Sequence, residues 1–169
     1  DVDGKVTGHA RYASDYKPAG MLYGKIVRSD RPAAKIVSID TSAAEEFPGV
    51  WAVLSGEGSW HRFGEAIKDQ LVFAVDQVRC AGEPLAAIAA ETPEIAEQAA
   101  LLIEVEYEDL PSVFDPIEAM APDAPLVHED PTSFEGPPNL IREGNICAKV
   151  TLKRGNADAA FATAHRIVE

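Results

Sequence analysis

Positive charge is scarce in this chain. Fifteen Lys and Arg stand against 28 Asp and Glu, for a net charge of -13. Phosphate binding needs clustered cations, so nucleic acid and anionic membrane are not expected as partners. Acidity alone confers solubility and names no partner. Cysteine is nearly absent as well, and Cys80 and Cys147 fit no metal-ligand spacing. Each reads as a small buried hydrophobe, and no disulfide is expected in a cytoplasmic chain. No apolar run approaches the roughly 20 residues of a membrane helix. The start, DVDGKVTGHA, has no apolar signal region, which reads as cytoplasmic. It lacks a leading methionine, and the closing HRIVE breaks off inside an apolar run, so both ends read as cuts in something longer.

The usual marks of catalysis are missing too. Gly56-Glu57-Gly58 is followed by Ser59 and Trp60 with no helix, so no phosphate loop is expected there. His9, His61, His128 and His165 lie far apart, and His128-Glu129-Asp130 reads as a solvated loop. Ser59 sits two residues before His61, but triad partners come from separate segments. Cys80 is flanked by Arg79, which along a strand points to the opposite face and cannot activate the thiol. A small hydrolase built on Ser59 or Cys80 therefore has no assembled base.

Hydrophobic residues, 46% of the chain, are enough for a core. Residues 1–20 read as an extended lead-in ending in the turn YKPAG, and 21–169 as one domain. Strands are expected over 21–29, 33–40 and 50–56, and short ones over 71–75 and 77–80. Ser42 and Glu45 have capping-box spacing for a short helix stopped by Pro48-Gly49. Residues 55–70 read as loop with one helical turn at most. EPLAAIAAE is apolar on both faces, as in a strand buried on both sides. Thr92, Pro93 and Glu94 open a helix through Ile95, Ala99, Leu102 and Ile103. IEVEYEDL alternates, sending Glu104, Glu106 and Glu108 to one face. Asp115 caps a helical turn, and 121–145 form a surface excursion. A strand over 145–155, a helix capped by Asn156 and a strand start at HRIVE complete the chain. The class is α+β, a mixed sheet with a few packed helices.

VRCAGEP, residues 78–84, reads as structural. Gly82 permits a tight bend, Pro84 holds Glu83 extended, and the Glu83 carboxylate can cap backbone donors.

GKVTGHARYASD, GMLYGKIVRSDRPAAKIVSIDTSAAEEFPGVWAVL, VRCAGEPLAAIAAETPEIAEQAALLIEVEYEDLPSVFDPIEAMAPDAPLVHED and GNADAAFATAHRIVE occur in that order. In order and spacing they resemble the N-terminal part of the large subunit of molybdenum hydroxylases, the xanthine dehydrogenase, aldehyde oxidase and carbon monoxide dehydrogenase family. The loops 56–70 and 131–146 are the variable parts. The resemblance implies an α/β-hammerhead domain. It also implies a parent enzyme that holds molybdenum on a pyranopterin and hydroxylates a small heterocycle, aldehyde or related substrate with oxygen from water. Electrons would pass to 2Fe-2S clusters and usually FAD, on other domains or subunits. The family's cofactor-binding and catalytic residues lie downstream of this segment, so none is carried over. The segment is expected to be a scaffold that contacts the rest of the large subunit, the iron–sulfur component and in some arrangements the FAD subunit. Gly82, Glu83, Pro84, Glu104, Glu106 and Glu108 are the candidate contacts. The alternative is a free-standing acidic binding module. An edge at HRIVE would give a homodimer of the fragment.

Overall fold

The computed structural model describes residues 2–57, 61–130, 133–136, 143–149 and 151–168. The chain forms two compact units, Asp1–Ser112 and Val113–Glu169. In the first, α1 (Val2–Val6) and a 3-10 turn (Ala13–Asp15) precede β1 (Tyr23–Arg28) and β2 (Ala34–Asp40). Then come α2 (Ser42–Glu45), β3 (Val50–Ser55), β4 (Arg62–Phe63), β5 (Gln70–Leu71) and β6 (Gln77–Val78). β7 (Pro84–Ala90), α3 (Pro93–Ala100) and β8 (Glu104–Asp109) close the unit. The second unit holds a 3-10 turn (Glu118–Met120) and α4 (Ala157–Thr163). No helix among the described residues is long and apolar enough to cross a membrane.

The α+β arrangement of sheets with a few helices is as read from the sequence. The strands form two three-stranded sheets, β1-β7-β3 and β6-β2-β8, and the hairpin β4-β5. Strands β1, β2 and β3 alternate between the two larger sheets, as do β6, β7 and β8. α2 carries the chain from β2 to β3, and α3 carries it from β7 to β8, so each helix bridges the two sheets.

The sheet of β1, β7 and β3 is antiparallel, with Lys25↔Ile88↔Val53 and Ile26↔Ala87↔Leu54 in register. Paired residues share a face. Ile88, Ala90, Val27, Val50 and Val53 pack with Ala44, Ala96 and Ala99 of the two helices. Lys25 lies on that face too, and its ammonium donates to Glu97 of α3 at 3.0 Å. This ion pair is exposed and contributes at most about 1 kcal/mol. A second core lies under the other sheet, where Ala34, Ile36, Ala74, Val78 and Leu85 pack with Ile39, Val105 and Tyr107.

The helix starts follow side-chain chemistry. Thr92 is extended and its Oγ1 accepts from the Ile95 N–H at 3.2 Å, with Pro93 in the first turn, as the sequence predicts. α3 ends at Ala100, so Leu102 and Ile103 fall beyond it. At α2 the expected capping box does not form. Ser42 lies inside the helix, and Asp40 Oδ1 accepts from the Ser42 N–H at 2.9 Å and its hydroxyl at 2.6 Å. The Thr41 hydroxyl donates to Glu45 at 2.6 Å, so the side-chain pairing is displaced by one residue.

These caps set an acid response. The Asp40 carboxyl titrates below its usual 3.8, first because the Ser42 hydroxyl and then the Ser42 N–H bind its charged form. Glu94 titrates below its usual 4.5, first through its own N–H and then through the Thr92 hydroxyl. Both pKa values are depressed on folding, so their stabilisation is complete above the usual values and is lost as pH falls through the folded ones. The unfolding midpoint should therefore fall on acidification from about pH 6 to about pH 3. Asp40→Asn and Glu94→Gln should each flatten that slope, which thermal melts at stepped pH will show.

Several local expectations are corrected. The lead-in carries the one-turn α1, closed by Thr7 N–H to Asp3 C=O at 3.1 Å, and the 3-10 turn; both are too short to leave a periodic pattern. The 55–70 loop and the 71–75 strand give way to the hairpin β4-β5, with Arg62↔Leu71 and Phe63↔Gln70. Over 145–155 the described residues show one isolated bridge, Glu143↔Ile146, and no strand. Among the described residues that stretch finds no neighbouring strand, and Leu152 is almost wholly exposed. Residues 165–168 form no strand either, so the edge expected to support a homodimer is not among the described residues.

Candidate functional site

Residues 79–84 form a turn bound to the end of β1. Gly82 has φ +90°, a left-handed conformation that suits glycine. Its N–H donates to Ser29 C=O at 2.7 Å, and Ser29 N–H donates to Glu83 C=O at 2.9 Å. The Arg28 guanidinium donates to Gly82 C=O at 2.8 Å. Glu83 Oε2 accepts from the Arg79 N–H at 2.6 Å, which is the backbone-capping role read from the sequence. Glu83 N–H closes the turn on Cys80 C=O at 3.3 Å. Gly82, Glu83 and Pro84 are half-buried, and these polar atoms bind their own chain.

Both cysteines are exposed, not buried as expected. Each lies in irregular chain, Cys80 on the turn and Cys147 beyond the isolated bridge, where no sheet face encloses it. Partial burial of the Cys80 thiol, and then the Glu83 charge, push its pKa up. The thiol is thus a poor nucleophile at neutral pH. Glu83→Ala should destabilise the fold by about 1–2 kcal/mol, because the Arg79 N–H loses its acceptor. The same change should lower the Cys80 pKa and speed its alkylation at mildly alkaline pH. Chemical unfolding and timed iodoacetamide labelling would read the two effects; unchanged labelling would remove Glu83 as a cause.

The acidic row lies on β8, at the edge of its sheet. Glu104, Glu106 and Glu108 are exposed, while Val105 and Tyr107 turn inward, as the alternation predicts. Register gives the three different neighbours on β2. Glu108 lies opposite Lys35, Glu106 opposite Ser38 and Glu104 opposite Asp40. Opposite charges across a strand pair stabilise and like charges destabilise, so uncompensated charge gathers at the Glu104 end. The next residue, Asp109, pairs with Arg31 at 3.6 Å. Val78 and Asp109 both flank Ala34, which brings the 79–84 turn to the Glu108 end of the row and not to the Glu104 end.

The remaining chemistry-bearing positions do not converge. Among the described residues, no group of three His, Cys, Asp or Glu could hold a metal ion. Gly58, Ser59 and Trp60 lie outside the described residues, as do 131–132 and 137–142 of the excursion. The Gly82 and Glu83 amides both donate within the domain, to Ser29 C=O and Cys80 C=O. Sequence reading missed Asn145 in the second unit. Its Oδ1 accepts from Val127 N–H at 2.9 Å, and its Nδ2 donates to Ala119 C=O at 3.0 Å and Pro125 C=O at 2.9 Å. A lone Asn between Gly144 and Ile146 gives no pattern that announces such a tie.

With this geometry in place, known proteins supply the context. The family model described as "Aldehyde oxidase and xanthine dehydrogenase, a/b hammerhead domain" matches residues 7–111. That range coincides closely with the first unit. A probable xanthine dehydrogenase component of Bacillus subtilis (strain 168) is 40% identical over 171 residues, spanning 100% of this chain and 21% of that protein. The nicotinate dehydrogenase large molybdopterin subunit of Eubacterium barkeri is 37% identical over 167 residues, 98% of this chain and 36% of that one. Among solved structures, the Cu,Mo-CO dehydrogenase in its carbon monoxide reduced state matches with a TM-score of 0.76 at 34% identity, covering 98% of this chain and 22% of that chain. The chain therefore spans 21% of the first of these two relatives and 36% of the second.

Proposed function

Because the chain belongs to the aldehyde oxidase and xanthine dehydrogenase family through its α/β-hammerhead domain, we propose that it is a structural segment of the large subunit of a molybdenum hydroxylase. The observation that carries this reading is the match of the whole chain, at 40% identity, to 21% of a probable xanthine dehydrogenase component. The intact enzyme would hydroxylate a small heterocycle, aldehyde or related substrate with oxygen from water. A molybdenum–pyranopterin held by other parts of the subunit supplies that chemistry. Iron–sulfur clusters and FAD on partner domains or subunits would accept the electrons. This segment contributes fold and contact surface, and no step of the reaction passes through its residues.

The Glu104–Glu106–Glu108 row is proposed as a contact face for the iron–sulfur component. Edge position, exposure and unbalanced charge support it. Reversing all three to Lys should loosen co-purification of that component, and unchanged recovery would remove the row from the interface.

The function itself is tested on the intact polypeptide that contains this segment. It would be purified and supplied with xanthine, nicotinate, an aromatic aldehyde and carbon monoxide, with a dye as electron acceptor. Turnover in ¹⁸O-labelled water should place the label in the product. Label drawn from dioxygen, or no turnover across the panel, would contradict the reading.

A further inference from the structure

Tryptophan is highly buried on average, yet Trp51 is 69% exposed. Its strand explains how the ring comes to lie outside. β3 is an edge strand of the β1-β7-β3 sheet. Its pairing with β7 shifts between Val50↔Ala90 and Ala52↔Ala89, so Trp51 is the extra residue of a β-bulge. Val50 and Val53 lie three apart, and both pack in the core under the helices. Strict alternation would send them to opposite faces. The bulge resolves that conflict and turns Trp51 outward, as bulges do when they re-aim one side chain.

Two carboxylates accompany the ring. The Trp51 indole N–H donates to Glu91 Oε1 at 3.4 Å. Glu91 follows β7 directly, and its own N–H donates to Gly49 C=O at 3.0 Å, just before β3. Glu45, at the end of α2, lines an open depression of about 300 Å³ together with Val50, Trp51, Ala52 and Val53. That volume is at the small end of ligand sites and admits one side chain rather than an extended ligand. Among the described residues, neither Glu45 nor Glu91 is paired with a cation.

We propose that Trp51, Glu45 and Glu91 form a seat for an arginine side chain on the surface of a protein partner. The proposal goes beyond the functional reading above and does not rest on it. Among aromatic side chains, Trp holds a cation over its face best. Here its N–H donates to an anion, which leaves the ring richer in electrons. Charge complementarity selects a cation as the occupant. An anion would be repelled by both carboxylates, and an apolar group would take water from them and return no partner. Arginine fits better than lysine, because its planar guanidinium stacks on an aromatic face while its N–H groups reach a carboxylate. A protein surface fits better than a free cation, because the depression is open and Trp and Arg concentrate binding energy at protein interfaces.

The experiment uses the intact polypeptide that contains this segment and a fluorescein-labelled peptide of arginines spaced by glycines. Binding is read by fluorescence anisotropy at roughly 0.15 M salt, where attraction to distant charges is largely screened. Trp51→Leu should weaken binding about three- to fivefold at unchanged net charge. Glu45→Gln and Glu91→Gln should each weaken it about twofold. Glu65→Gln, an exposed position that does not line the depression, should leave it unchanged. The same peptide with lysine in place of arginine should bind more weakly. A second readout needs no variant and decides even if Trp51→Leu disturbs folding. In the unmodified polypeptide, hydroxyl radicals should oxidise Trp51 readily, and the arginine peptide should slow that oxidation. Unchanged binding in Trp51→Leu, an equal loss in Glu65→Gln, or a lysine peptide that binds as tightly would each overturn the proposal. So would slow oxidation of Trp51 without the peptide, since another part of the polypeptide would then cover the ring.

Discussion

Replacing Ile88 with alanine should lower the unfolding free energy by about 2–5 kcal/mol. Ile88 is 2% exposed at the middle of β7, with Lys25 and Val53 beside it in register. Its side chain is the one large fully buried group beside Ala44, Ala90, Ala96 and Ala99, with the partly buried Val27, Phe47, Val50, Val53 and Ile95 packed around them. The four alanines cannot swing inward to refill the vacated volume, and how far the larger neighbours close in sets where the loss falls within that range. Urea unfolding with an unchanged slope would report it directly. Ile26→Ala, on the neighbouring strand and the opposite face, should cost less than about 1 kcal/mol in the same chain, because it leaves no buried cavity. Equal losses at the two positions would contradict the assignment of the sheet's faces.

Gly56→Ala should be damaging for a change of a single methyl group. A Cβ there would lie 2.6 Å from the Ala74 carbonyl oxygen and 3.0 Å from Val75 Cγ2. The oxygen belongs to backbone that cannot step aside, because the Ala74 N–H is bonded to the Pro84 carbonyl at 2.8 Å where β7 begins. Relieving the clash means moving the end of β3 or the 74–84 segment, and overpacking of this kind costs about 1–3 kcal/mol. A melting temperature that falls, with Ala74 amide exchange accelerated, is the expected result. A melt matching the unmodified chain would mean that this segment is looser than its hydrogen bonds imply.

How much could be read beforehand depended on whether a residue's neighbours are local in sequence. β8 was legible because its alternation records one solvated and one buried face. The Thr92 start of α3 was legible because cap, proline and acceptor lie within four residues. The role of Glu83 followed from the glycine and proline that fix the turn around it. Other features depend on distant partners. β1 pairs with β7, which lies far along the chain, and nothing in either string assigns them to one sheet rather than two. β4 and β5 have two residues each, too few to show a period. The alternation over 145–155 resembles a strand, but a strand also needs a partner for its backbone, and the described residues offer none. Cys80 was expected to be buried, but the turn that ties its neighbours to Ser29 leaves the thiol outside.

The candidate site was legible in a limited sense. The sequence located the turn and the acidic row, but not the register that balances Glu108 against Lys35 and sets Glu104 against Asp40. It also carried the apolar face of β7 in plain view, in the unbroken run PLAAIAA. That run shows that both faces of the strand lack polar groups. Only the sheet shows that one of them is covered by helices while the other is open.

The most direct test is molybdenum analysis by mass spectrometry on two samples: the intact polypeptide that contains this segment, and the 169-residue chain alone. Stoichiometric molybdenum on the intact polypeptide and none on the short chain is the predicted result. Molybdenum bound by the short chain, or a pure intact polypeptide from molybdenum-replete cells that carries none, would contradict the central claim.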